Sequence, residues 1–243
     1  MSPQLSSLLA IVREQGEFAS STDLRSDVSL KGDGSVVTGT DVAVERALRK
    51  SLPCLAEGTS FWGEELGWET IAPAGIWLVD PIDGTSNYAS GNPLWGISVA
   101  LQDSVGLRLG CIVLPELGFE LCSERGGGAY WNGERLPFLS ATETKPHELI
   151  SVNDSALRQL DGNVIGKPRL CGAFVVDGAF TVRRWFKSLY GVNEKLYDVA
   201  ATVLAAREIG LDARYCDGSD WNERDLLTNE NIRMPWEIGF ING

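Results

Sequence analysis

The chain has 243 residues, 44% of them hydrophobic and 22% charged, enough to build one large domain or two small ones that share an interface. Its 33 acidic and 21 basic residues leave a net charge of −12, which repels nucleic-acid backbones and anionic membranes and argues against binding a nucleic-acid polymer. No run approaches the roughly 18 apolar residues of a membrane span, and residues 1–12 lack a basic segment with a cleavage site, so a cytoplasmic protein without a membrane partner is expected.

Residues 3–18 carry Leu5, Leu8, Leu9 and Val12 at helical spacing and predict an amphipathic helix. A charged, turn-rich loop over 29–35 and a short extended piece at 36–38 precede a second helix over 42–50, for which Thr40 or Asp41 is the expected cap. Residues 59–62 read as a strand running into Gly63-Glu64-Glu65. Residues 76–79 are a buried strand that Pro81 is expected to stop, and Thr85 and Ser86 fit the start of a helix. Strands follow at 95–102, 107–114, 120–123 and 129–131, the last closed by an Asn132-Gly133 hairpin turn. Gly126-Gly127-Gly128 belongs to the hairpins, since no helix or phosphate-loop pattern follows it. The first part is therefore helices on an antiparallel sheet, with a division in the polar stretch 142–147, giving parts 1–145 and 146–243. Beyond it come strands at 149–152 and 169–171, a helix over 173–182, an alanine-rich helix over 199–209 with Asp198 at its start, and a final strand over 236–241. The five cysteines are odd in number, with no C-x-x-C, and read as free thiols; with the single His147 they form no zinc site.

The chemistry concentrates at Asp80-Pro81-Ile82-Asp83-Gly84-Thr85. Taken alone, such a sequence is most often a solvated turn with an Asx-type hydrogen bond. Yet Asp80 and Asp83 are close enough to hold a hard cation with an intervening carbonyl, and a helix start beyond them favours an anion. If the strand at 59–62 neighbours the one at 76–79, Glu64 and Glu65 arrive at the same sheet edge, where four carboxylates are tolerable chiefly with cations between them.

Gly63-Glu64-Glu65, the run from Trp77 to Thr85, and Tyr197-Asp198-Val199-Ala200-Ala201 together resemble the inositol monophosphatase family. Lys31, Val37-Thr38 with Asp41, the glycine-rich hairpin, and Arg169 with Gly172 extend the likeness over most of the chain. The resemblance implies a layered αβαβα sandwich of the α+β / α/β kind, and lithium-sensitive, Mg²⁺-dependent hydrolysis of a phosphate monoester, in a homodimer. It implies one Mg²⁺ on Glu64, Asp80 and the Ile82 carbonyl, a second on Asp80, Asp83 and Asp198, and a weaker third that Glu64 helps to hold. Gly84 and Thr85 would offer N–H groups to the phosphate, Thr85 with Asp41 would orient the attacking water, and Glu65 and Lys31 would stand behind these ligands. Since phosphoryl transfer asks mainly for positioning and charge neutralisation, no nucleophilic Cys or His is needed.

Departures from the family restrict the substrate. Tyr197 stands where the family has Trp, and Gly191 stands where many members have an acid for substrate hydroxyls, leaving Glu194 as the alternative acceptor. Arg183, Arg184 and Lys187 form the densest basic cluster, a solvated face or dimer contact on the plainer reading and a binding site for a second anionic group on the other. The family's last helix is expected to be missing after the strand ending near Phe240. Other phosphomonoesters of the same fold (sugar bisphosphates, histidinol phosphate, a nucleotide 3′-phosphate) and a non-catalytic binding or regulatory subunit stay open as alternatives.

Overall fold

A computed structural model describes residues 1–32, 34–139, 144–159, 164–219, 221–223, 225–227 and 232–240. Helix α1 (Pro3–Ser21) buries Leu5, Leu8, Leu9 and Val12, and its first turn is fixed by Ser2, whose hydroxyl accepts the Leu5 N–H, and by the proline that follows. A small hairpin, β1 (Val28–Leu30) with β2 (Val36–Thr38), leads into α2 (Gly39–Ser51). The cap of α2 is Thr38, not Thr40 or Asp41: the carboxylate of Asp41, in the third helical position, reaches back to accept the Thr38 N–H at 2.9 Å.

The next strands are β3 (Ser60–Gly63), β4 (Gly67–Trp68) and β5 (Ile76–Asp83), the last followed by the five-residue helix α3 (Thr85–Ala89). Then come β6 (Gly96–Gln102), β7 (Leu107–Leu114), β8 (Phe119–Glu124), β9 (Gly128–Trp131) and β10 (Glu134–Arg135). These eight strands form one sheet in the order β10-β9-β8-β7-β6-β5-β3-β4. The expected antiparallel sheet is in fact mixed, because β3 runs parallel to β5. Asn132 and Gly133, with φ of 48° and 82°, close the β9-β10 hairpin, where both central residues need positive φ.

The second part contributes β11 (Leu149–Val152), α4 (Asp154–Gln159), β12 (Lys167–Arg169), α5 (Phe174–Val182), β13 (Leu189–Gly191), α6 (Leu196–Glu208), β14 (Asp212–Tyr215) and β15 (Trp236–Phe240). Its five strands pair in the order β12-β11-β13-β15-β14. Helices α1 and α2 cover one face of the large sheet with Leu8, Val44 and Leu48 among the buried residues. Helices α5 and α6 fill the space between the two sheets, and α4 packs through Ala156 on Val152 and Val192 beyond the small one. The layers are αβαβα, and apolar residues of α5 and α6 join the sheets in one continuous core. The division at 145 falls between the sheets along the chain; Thr142, Glu143 and Ile241 of the expected boundary and last strand lie outside the described residues. Among the described residues no helix is long and apolar enough to cross a membrane.

Candidate active site

Strand β5 is buried along its whole length up to Ile82. Pro81 does not stop it. The pairing with β6 slips by one residue between Asp80 and Asp83, so Pro81, which has no N–H to give, occupies a bulge inside the strand. The bulge aims the carboxylates into a cavity, and the Ile82 N–H donates to Asp80 Oδ1 at 3.0 Å. Gly84, at φ 83°, makes the turn that follows; a Cβ there would stand 2.7 Å from that of Ala173. Thr85 Oγ1 lies 2.9 Å from the Ile82 carbonyl and 3.1 Å from Asp41 Oδ1, and can donate to either. Asp41 is fully buried on α2, receives both the N–H and the hydroxyl of Thr38, and has its carboxyl pushed up chiefly by burial, against those hydrogen bonds.

The parallel pairing sets Gly63 beside Val79, and the Glu64 N–H donates to the Val79 carbonyl at 3.2 Å, so Glu64 leaves the sheet next to Asp80. Lys31 Nζ donates to Glu64 Oε1 at 2.7 Å and Glu65 Oε1 at 2.6 Å. Burial works against the Lys31 ammonium, but the two carboxylates outweigh it and raise its pKa. Glu65 is pushed up to about 7, first by burial and then by its acidic neighbours, against the pull of Lys31. Behind this turn stands Glu45, which sequence reasoning missed. It is fully buried on α2, and its two oxygens accept the N–H groups of Glu65 (2.7 Å) and Leu66 (2.9 Å). Asp41 and Glu45 are four residues apart on one helical face, the signal that could have revealed it.

Asp198 occupies the third position of α6, where its carboxylate accepts the Lys195 N–H at 2.6 Å. Asp83 Oδ2 accepts the Val175 N–H at 2.5 Å from the first turn of α5. Glu64, Asp80, Asp83 and Asp198 border one cavity of about 370 Å³ with Lys31, Ile82, Gly84, Thr85 and Glu194. The carboxyls of Asp80, Asp83 and Asp198 are all held well above their usual range, first by burial and then largely by each other and by the nearby glutamates. Five carboxylates share this cavity with two ammonium groups, Lys31 and Lys195. A surplus of negative charge on hard oxygen donors fits Mg²⁺ or a similar cation, for which Glu64, Asp80, the Ile82 carbonyl, Asp83 and Asp198 could serve. Among the described residues no three carboxylate, thiol or imidazole groups stand at the spacing of ligands around a single ion.

Arg183 and Arg184 are not brought to this cavity. They lie at the C-terminal end of α5, whereas its N-terminal end meets Asp83, and nine residues of helix separate the two ends by about 13 Å. Arg183 is exposed beside Trp185, and Arg184 Nη1 donates to the Lys187 carbonyl at 2.7 Å. Gly191 is buried with no space for a side chain, since a Cβ would come within 2.5 Å of the Trp236 ring. Glu194, the alternative acceptor, borders the cavity, and its Oε1 accepts from Asn153 Nδ2 at 2.6 Å.

The class these features describe is that of phosphoric monoester hydrolases with a layered α+β fold. The chain belongs to the inositol monophosphatase family, whose model matches residues 8–237. An inositol-1-monophosphatase from Mesorhizobium japonicum is 30% identical over 223 residues, covering 87% of this chain and 82% of the relative. A histidinol-phosphatase from Mycobacterium tuberculosis is also 30% identical, over 80% of this chain and 64% of its own. Among solved structures, an IMPase from Thermotoga maritima superimposes with a TM-score of 0.83 at 21% identity, covering 98% of this chain and 92% of that one, which supports the fold. The SuhB protein of Bartonella henselae gives 0.81 at 23% identity over 98% and 94%. The relatives are phosphatases, and so is this chain in its general class.

Proposed function

We propose that this protein hydrolyses a small phosphate monoester, of the inositol-, sugar- or polyol-phosphate kind, to the alcohol and inorganic phosphate with Mg²⁺. The observation that carries the reading is the meeting of Glu64, Asp80, Asp83 and Asp198, from three separate segments, on one cavity that Thr85, hydrogen-bonded to the buried Asp41 behind it, also borders. In this reading Glu64, Asp80 and the Ile82 carbonyl hold one ion, Asp80, Asp83 and Asp198 a second, and Glu64 takes part in a third. When bound, Mg²⁺ supplies positive charge for the phosphoryl oxygens and makes water more acidic.

The chain's own groups do the positioning. Thr85 Oγ1, held between Asp41 and the Ile82 carbonyl, accepts a hydrogen bond from the attacking water while its own O–H donates to Asp41 Oδ1. The buried Asp41 can take up a proton there, since burial favours its neutral form. Gly84 and Thr85 offer backbone N–H groups to the phosphate, and Asp83, Arg183 and Arg184 were the other substrate contacts expected; of these three, Asp83 borders the cavity. Glu65 and Lys31 fix the position of Glu64. A homodimer in the cytoplasm remains part of the proposal.

The test is Asp80→Asn, assayed against a panel of phosphate monoesters with Mg²⁺ and after chelation. Loss of a carboxylate shared by two ion sites is expected to remove most turnover, chelation to do the same, and lithium to inhibit. Full activity of the variant or of metal-free protein would sink the metal assignment; no turnover of any ester would favour a binding subunit.

A further inference from the structure

Beside the metal-binding cavity lies a second one, of about 320 Å³, and Asp83, Asn193 and Glu194 border both. With phosphate in the first, the alcohol half of the ester extends into the second. Its wall combines apolar side chains, Phe174, Leu170 and Val152 among them, with carboxylates. Among the described residues no lysine or arginine borders it.

Two of these carboxylates, Glu194 and Asp177, form no ion pair with a lysine or arginine on this wall among the described residues, and Glu194 shares a hydrogen bond with Asp198. Glu194 is aimed by Asn153, whose Nδ2 donates to Glu194 Oε1 and to the Val192 carbonyl, both at 2.6 Å, while its Oδ1 caps α4 by accepting the Ala156 N–H at 2.7 Å. Asp177 is the one charged residue in α5. It is 3% exposed, and its Oδ1 has no hydrogen-bond partner among the described residues, although Ser151 and Cys171 stand close by. The third acid on the wall, Asp154, is already paired with Arg158 at 2.9 Å, and Asp83 belongs with the ion ligands. A buried carboxylate without a countercharge is costly, and a polyol brings hydrogen bonds but no charge to offset it. A cation does both, and the apolar wall suits a hydrocarbon or ring beside it.

We propose that the alcohol half of the substrate carries an ammonium-type cation, received by Glu194 and Asp177, so that the preferred ester is the phosphate of an amino alcohol with an apolar side chain. This rests on the phosphatase reading above and assigns Glu194 and Asp177 as specificity-determining residues, with Asn153 positioning Glu194.

The experiment compares 2-amino-3-phenylpropyl phosphate with its uncharged counterpart, 2-hydroxy-3-phenylpropyl phosphate, in the Mg²⁺-loaded protein. A kcat/KM ratio of at least about tenfold in favour of the ammonium ester is expected, as for a hydrogen bond to a charged group. Glu194→Gln and Asp177→Asn should each bring that ratio toward one, mainly through KM. Calorimetric binding of the free alcohol, 2-amino-3-phenylpropan-1-ol, gives a readout without turnover and should weaken in Glu194→Gln. Thermal melts report on folding, and Glu194→Gln carries the test if Asp177→Asn does not fold. Hydrolysis of both esters with equal efficiency, or a ratio that neither variant changes, overturns the cation site and leaves the phosphatase reading standing. Binding of the amino alcohol that depends on Glu194, without hydrolysis of either ester, supports the cation site and overturns the phosphatase reading.

Discussion

Placing a side chain at Gly191 tests how tightly β13 is packed against Trp236. The backbone of β13 there is extended, so alanine meets no conformational penalty and its cost is steric. Its Cβ would lie 2.5, 2.7 and 3.0 Å from three atoms of the Trp236 ring, against 3.4–4 Å for ordinary contact, so the ring must retreat by about 1 Å. Trp236 has nowhere to go: it is fully buried, with Phe174 at 5.6 Å and Trp221 at 5.1 Å between ring centres. Overpacking of this kind costs about 1–3 kcal/mol, which lowers the melting temperature of a chain this size by roughly 2–12 °C. Gly191→Glu adds a buried carboxylate without a partner, at several kcal/mol more, and should fold poorly. Thermal and urea unfolding of both variants, with kcat/KM on inositol phosphate for Gly191→Glu, make the measurement. The reasoning is refuted if Gly191→Ala melts within about 1 °C of the parent, or if Gly191→Glu folds well and gains activity on the polyol ester. The first result would mean that Trp236 yields, and the second that an acid at this position also reaches substrate.

Glu45→Ala should lower unfolding stability by about 1–3 kcal/mol, because the part-buried N–H groups of Glu65 and Leu66 lose their acceptor; it should also weaken the proposed Mg²⁺ binding by loosening the turn that carries Glu64, which calorimetry checks. The Asp103 carboxyl is held at about 2, below its ordinary 3.8, by the Arg125 guanidinium at 2.7 Å, so the pair stabilises the fold above pH 3.8 and the contribution disappears as pH falls through 2. Arg125→Ala should thus cost about 1 kcal/mol at neutral pH, and the gap between the urea midpoints of variant and parent should narrow toward pH 2, leaving only what the bonds of Arg125 to the Gly106 and Leu107 carbonyls contribute; a gap that stays constant with pH counts against the pair. Arg183→Ala should leave KM unchanged, since Arg183 is at the far end of α5 from the cavity; a raised KM would mean that it serves the site of a second copy.

Much of the order of helices and strands along the chain was legible because it rests on local pattern: apolar spacing in α1, the alternation and turn chemistry of β6 to β10, the alanine-rich α6; the layering followed only from the family resemblance. Sequence order also put Asp80, Ile82, Asp83, Gly84 and Thr85 on one short segment, so their meeting needed no knowledge of the rest of the fold. Where local rules misled, a tertiary contact had overridden them. Pro81 continues β5 because the bulge removes the need for its N–H. Thr38 displaces Asp41 as cap because Asp41 is turned back toward Thr38 and reaches Thr85 with its other oxygen.

By itself, then, the sequence determined most of the elements, though not α4, β13 or β14, and it placed β12 two residues late; it also determined the carboxylate-bearing turn and the likeness to a phosphatase family. Only the tertiary structure decided that Lys31 bridges Glu64 and Glu65, that Glu45 braces their turn, and that Arg183 and Arg184 stand away from the cavity. It also decided that Trp236 fills the space a residue at 191 would need, while Glu194 and Asp177 come to one wall from α5 and the segment before α6. Such juxtapositions depend on how the middle helices pack between two sheets, and packing is set by the shapes of residues far apart in sequence.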